Sequence, residues 1–283
     1  MRSYDPRTTP ARPDLAARQL EGQVAAARFV DGTILEVVDP QAPLRRAPAP
    51  DAELATEALK GERVSVYETT DEGWCWGQLE ADGYVGWLPA GALRAPERAP
   101  THKVAVLRTL VFPGPSIKLP PREFLSLGCR LAVARHDGDF AVTPCGYLPA
   151  RHLVPLEARE DDFVAVAERF LGVPYVWGGR TSLGIDCSGL VQIALASAGL
   201  ACPRDSDMQE AALGRAIDPG RDGAALRRGD LLFWTGHVAI VRDGASLVHA
   251  NAYHMSVAIE PTVDALRRIA AAGYPLSRAK RLG

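Results

Sequence analysis

A layout that the chain writes twice constrains its fold more than any other feature. Leu59-Lys60-Gly61-Glu62-Arg63-Val64-Ser65-Val66 is echoed by Leu127-Gly128-Cys129-Arg130-Leu131-Ala132-Val133, and Gly86-Trp87-Leu88-Pro89-Ala90-Gly91-Ala92-Leu93 by Gly146-Tyr147-Leu148-Pro149-Ala150-Arg151-His152-Leu153. In the first copy the short alternating runs at Arg63 to Tyr67, Trp74 to Leu79 and Gly83 to Leu88 are bounded by Gly or Asp turns, the signature of a small antiparallel barrel. Two copies of one barrel are expected, over residues 35–95 and 100–156, with Ala95-Pro96-Glu97-Arg98-Ala99-Pro100 as the joint. Ahead of them a stretch rich in Pro, Ala and Arg, residues 1–34, reads as an extension that wraps other parts, with one helical segment near Leu15 to Phe29.

At 283 residues the chain is too long for two barrels alone, and after Pro155 its texture changes. From Asp162 to Leu171 a helical stripe of Phe163, Val164, Val166, Ala167, Phe170 and Leu171 ends at Gly172 and Pro174. A second helix is expected from Cys187 to Ala198, with Asp186 as N-cap and Gly199 as its stop. Strands follow at Asp230 to Trp234, His237 to Arg242 and Ser246 to Ala250, so residues 158–283 read as an α+β domain. The charge balance, 32 basic against 34 acidic residues, gives no electrostatic case for nucleic acid or an anionic membrane. No run approaches 18 apolar residues and the opening decapeptide lacks the apolar core of a secretory signal, so a cytoplasmic location is expected.

The chemistry concentrates around one of five cysteines. Cys187 directly follows Asp186 at a helix start, where unpaired amides and the macrodipole favour a thiolate and a lowered pKa; the competing role is a buried structural thiol, the reading kept for Cys75, Cys129, Cys145 and Cys202. A nucleophilic thiol needs a base, and His237 opens the apolar run Val238-Ala239-Ile240-Val241. Folding that run back about Asp243 sets His237 opposite His249, both six residues from the turn centre, so one imidazole can take the thiol proton while the other fixes its tautomer. His254 is the rival to His249. His102, His136 and His152 read as surface residues, and Gly178-Gly179 lacks the rest of a phosphate loop. No cysteine and histidine grouping reads as a metal site, and neither metal nor cofactor is expected.

Pro174-Tyr175-Val176-Trp177-Gly178-Gly179, Asp186-Cys187-Ser188-Gly189-Leu190, Pro203-Arg204-Asp205-Ser206, Arg228-Gly229-Asp230-Leu231-Leu232-Phe233 and Gly236-His237-Val238-Ala239-Ile240 resemble, in order, the motifs of the NlpC-type cell-wall cysteine peptidases, which have a papain-like core. Gly83 to Trp87 resembles the Gly-Tyr-x-Gly-Trp hallmark of bacterial SH3-like barrels. Two such barrels before such a domain are similar to the arrangement of γ-D-glutamyl-L-diamino-acid endopeptidases, the dipeptidyl-peptidase VI type.

The resemblance implies hydrolysis of the bond between γ-D-Glu and Lys or diaminopimelate in peptidoglycan stem peptides with a free N-terminal L-Ala, as in cell-wall recycling. It implies Cys187 as nucleophile, His237 as base and His249 as orienting residue, with Tyr175 near the oxyanion and Tyr175, Asp186 and Ser188 holding the substrate ammonium. The first barrel is expected to close the pocket with Tyr84 and an acidic residue before Lys60, for which Glu57 is the candidate; a packed barrel tyrosine and a solvated loop carboxylate are the competing roles. A catalytically inactive wall-binding module and an exported peptidoglycan endopeptidase are the alternative functions.

Overall fold

The structure, a computed structural model, describes residues 4–283. These divide into two compact units, one ending at Leu156 and the other beginning at Glu157. In the first unit a seven-stranded antiparallel sheet runs in the order Leu54–Leu59, Gln41–Arg45, Val85–Pro89, Trp74–Leu79, Arg63–Thr69, Thr33–Val37 and Leu93–Arg94. Its alternating inward residues, among them Val37, Leu44, Val64, Val66, Leu79 and Leu88, make one core. Gly86 has to be glycine because a Cβ there would run into the Leu44 side chain and approach the Arg45 carbonyl to 2.8 Å.

The written repeat is also a structural one. Ala90–Ala92 and Ala150–His152 are both 3-10 turns, each leading into a short strand at Leu93–Arg94 and Leu153–Pro155. The second copy is split into a three-stranded sheet built on His102–Val104, a hairpin of Arg108–Val111 with Glu123–Ser126, and a three-stranded meander from Arg135 to Pro149. His102 and His152 have partners, since their Nδ1 atoms lie 2.8 Å from the hydroxyls of Thr101 and Thr109.

The helix expected near Leu15 to Phe29 does not form. Ala16–Ala17 pairs in parallel with Phe29–Val30, and a single 3-10 turn spans Arg18–Leu20. Tertiary packing overrides the local pattern, because Leu15 is buried against Trp76 and Val85. The guanidinium of Arg12 stacks on Trp76 and Trp87 at 4.4 and 4.9 Å. The extension thus covers the barrel's tryptophan face.

The second unit is built on a six-stranded antiparallel sheet in the order Arg215–Ile217, Arg278–Arg281, Leu231–Trp234, His237–Val241, Ser246–Asn251 and Ser256–Pro261. Helix α1, Phe163–Glu168, starts at Asp162, whose carboxylate accepts from the amides of Val164 and Ala165. Helix α2, Cys187–Ser197, is buried on all sides from Cys187 to Leu195 and packs between α1 and the strands of His237 and Ser246. Helices α3, Ser206–Ala212, and α4, Thr262–Ala271, complete the unit. On the face opposite α2, Ala265 of α4 joins Leu232, Trp234, Ala239, Val241 and Leu247 in a core. Among the described residues no helix is long and apolar enough to cross a membrane.

The start of α2 is seated by a close backbone approach, for a Cβ on Gly189 would collide with the Gly179 carbonyl. Gly189→Ala should therefore destabilise the second unit by about 1–3 kcal/mol. Urea unfolding followed by far-ultraviolet dichroism reads this, and an unchanged midpoint would show that the approach is not a constraint.

Candidate active site

Asp186 places the thiol. As N-cap of α2 its Oδ1 accepts from the Gly189 amide at 2.6 Å, and its Oδ2 accepts from the Gly178 amide at 2.9 Å. Arg204, 1% exposed, donates to both carboxylate oxygens at 2.9 and 2.7 Å and to Ser188 Oγ at 2.9 Å. This bidentate pair fixes the turn from which Cys187 projects. The Asp186 carboxylate and the Ser188 hydroxyl thus already hold Arg204, and a substrate ammonium would meet a carboxylate shared with that guanidinium.

The sheet supplies the base. His237 begins its strand, and the next residue, Val238, donates its backbone amide to the Cys187 sulfur, so the thiol abuts this strand end. His237 Nε2 and His249 Nδ1 lie 2.9 Å apart, with the two ring planes tilted by 57°. The strands do not pair as the sequence suggested, because Ile240 faces Val248 and Val241 faces Leu247. His249 is thus a diagonal rather than a direct neighbour of His237, within reach of long side chains. The turn is responsible, for the Asp243 carboxylate accepts from the amides of Ala245 and Ser246 and moves the centre of the hairpin one residue on.

Two members that sequence reasoning missed extend this line. Glu260 Oε1 stands 2.8 Å from His249 Nε2, and Arg268 of α4 pairs with the same carboxylate oxygen. Arg268 also stacks on Tyr253 at 4.2 Å. Neither residue belongs to a motif, and only the register of the Ser256–Pro261 strand brings Glu260 to His249. His254, the rival, is exposed, and its Nδ1 lies 2.9 Å from Asn251 Oδ1. Donor atoms of His249, His254 and Glu260 come within 4.8 Å of one another, but the guanidinium of Arg268 already occupies the carboxylate a cation would need.

Tyr175 is half-buried and lines a cavity of about 280 Å³ together with Trp234, His237, His249, Tyr253 and Arg268. Tyr84 and Glu57 belong to the first unit. Tyr84 is a core residue of the barrel whose hydroxyl accepts from Arg46 at 3.0 Å. Glu57 is a buried strand residue rather than a loop carboxylate, and Gln41 Nε2 donates to it at 3.1 Å.

Burial governs the electrostatics. It pushes the Cys187 thiol up to about 12, helped by the neighbouring Asp186 charge and against the amide of Val238. The lowered pKa expected from the helix start alone is therefore corrected. Burial likewise holds His237 down to about 3, with His249 beside it acting in the same direction. Each group resists charging alone, whereas transfer of the thiol proton to His237 creates two opposite charges side by side. Glu260, although burial pushes it up, is held down to about 2 by His249 and Arg268, so it is a carboxylate at neutral pH.

A thiol at a helix start, a histidine at a strand end and a second imidazole behind it define a papain-like thiol hydrolase. Residues 172–266 match the NlpC/P60 family and residues 44–93 match the bacterial dipeptidyl-peptidase SH3 domain. The chain thus carries an NlpC/P60 cysteine peptidase domain and, ahead of it, a bacterial SH3 domain. It is 26% identical over 250 residues to the γ-D-glutamyl-L-lysine dipeptidyl-peptidase of Bacillus cereus, covering 74% of this chain and 70% of that one. The Bacillus subtilis protein of the same name is also 26% identical, over 233 residues, with 74% and 76% covered. In fold, an NlpC/P60 family protein from Bacillus cereus superposes with a TM-score of 0.71 at 22% identity, over 88% of this chain and 99% of that one.

A neutral resting pair has a consequence for reactivity. With its pKa raised, the thiol yields thiolate only as the pH climbs, so alkylation of Cys187 by iodoacetamide should rise about tenfold per unit from pH 6 to 9. Peptide mapping follows the rate at Cys187. A rate that is level from pH 5 to 8 would instead show a standing thiolate and imidazolium pair.

Proposed function

We propose that the chain hydrolyses the amide between γ-D-Glu and a diamino acid, lysine or diaminopimelate, in peptidoglycan stem peptides with a free N-terminal L-Ala. The observation that carries this reading is the approach of the Cys187 sulfur to the Val238 amide, one residue past His237 at the strand end, with His249 2.9 Å from His237. The names of the two Bacillus relatives support the bond.

The thiol proton passes to His237 on Nδ1, the nitrogen that does not face His249, as sulfur attacks the γ-carbonyl. The oxyanion is met by backbone amides at the start of α2, beside Tyr175. Collapse of the tetrahedral adduct breaks the C–N bond, and His237 returns the proton to the departing amine. Water, deprotonated by His237, then cleaves the thioester and restores the thiol.

A substrate with a free L-Ala amine has already been released from its sugar. The reading therefore places the reaction in the breakdown of released peptides during wall recycling, and we assign it to the cytoplasm. An exported endopeptidase would instead accept blocked peptides.

Cys187→Ala should lower turnover of L-Ala-γ-D-Glu-L-Lys at least about 10⁴-fold with unfolding unchanged. The N-acetylated peptide, which lacks the ammonium, should be cleaved about 30-fold to 150-fold less efficiently, the value of an ionic contact of about 2–3 kcal/mol. Mass analysis of both reactions checks these outcomes. Equal cleavage of the two peptides would overturn the free-amine reading in favour of an endopeptidase.

A further inference from the structure

His237, His249 and Glu260 lie on one straight diagonal across three adjacent strands. The pairing Ile240↔Val248 sets His249 two residues along from the position across from His237, and Leu247↔Glu260 sets Glu260 two residues further in the same direction. Strand alternation puts all three on the sheet face that α4 covers. Arg268 of α4 closes the line by pairing with Glu260.

We infer that Glu260, anchored by Arg268, is the positioning residue that sets the tautomer of the whole histidine relay. The inference rests on the reading of Cys187, His237 and His249 given above. Glu260 Oε1 lies 2.8 Å from His249 Nε2 in an ion-pair contact outside hydrogen-bond geometry, and because a bare nitrogen there would set its lone pair against the carboxylate, the contact favours the hydrogen on Nε2. Neutral His249 then has a bare Nδ1, which accepts across 2.9 Å from His237 and requires the hydrogen of His237 on Nε2. His237 Nδ1 is left bare, the atom that must take the thiol proton. One carboxylate, two imidazoles away from the sulfur, thus keeps the base in its competent form.

The groups facing the relay are few. His249 faces His237, His254, Glu260 and Arg268, and His237 faces His249 with Arg268 and Glu260 beyond it, while the Cys187 sulfur lies at the amide of the next residue, Val238. Arg268 alone would discourage an imidazolium here, and Glu260 offsets it. The carboxylate therefore does two things: it directs the hydrogens at rest and supports the positive charge that arises when His237 takes the proton.

Nitrogen-15 NMR of the full chain labelled in histidine reads the tautomers without any substrate. His237 and His249 should both show protonated Nε2 and bare Nδ1 at pH 7. In Glu260→Gln, whose amide can donate or accept, His237 should become a mixture of tautomers. Turnover should fall about tenfold to hundredfold with KM within about twofold, and Glu260→Asp should recover the single tautomer. A hydrogen on His249 Nδ1 in the unaltered protein overturns the inference even if Glu260→Gln does not fold, as does a Glu260→Gln protein with unchanged tautomers or full turnover. Activity persisting in Cys187→Ala would instead sink the underlying catalytic reading, which the NMR does not depend on.

Discussion

One buried carboxylate holds the site together. Asp186 caps the helix that carries the thiol, takes the Gly178 amide that closes the preceding turn, and forms a bidentate pair with Arg204 deep in the unit. Removing one partner from such a pair leaves a bare charge out of water and costs about 3–5 kcal/mol. A lost cap alone costs about 1 kcal/mol. The first figure is the larger, so Asp186 and Arg204 act chiefly as a lock on backbone geometry, and the thiol inherits its direction from that lock.

A second constraint is the burial of the reacting pair. Cys187 is buried and His237 partly buried, desolvation disfavours the charged form of each, and this couples the proton transfer to the attack on substrate. The sheet orders the partners. Because side chains alternate along strands, a diagonal step of two residues per strand keeps His237, His249 and Glu260 on the face against which α4 packs.

The sequence was most informative where chemistry is local. The repeated barrel layout, the Asp186 cap of α2, Gly199 in a left-handed conformation at its end, and the strands from Leu231 to Asn251 could all be read from neighbouring residues. It was least informative where the decisive partner lies far along the chain. Arg204 removes the free charge of Asp186 from 18 positions away. Glu260 reaches His249 only through the register of the Ser256–Pro261 strand, and His249 reaches His237 through a register that the Asp243 turn shifts by one residue. The apolar pattern after Leu15 is helical in isolation, but burial of Leu15 on a tryptophan surface decides its conformation. Tyr84 and Glu57 show the same limit, since a motif and a nearby charge said nothing of how deep each would lie.

The central claim is that the Cys187 sulfur bonds covalently to the glutamyl γ-carbonyl. Acid quenching during steady turnover of L-Ala-γ-D-Glu-L-Lys, followed by proteolysis and mass spectrometry, reads it directly. The account predicts the mass of an L-Ala-D-Glu acyl group on the peptide that contains Cys187 and on no other cysteine. An adduct on Cys75, Cys129, Cys145 or Cys202, with Cys187 unmodified, would contradict it.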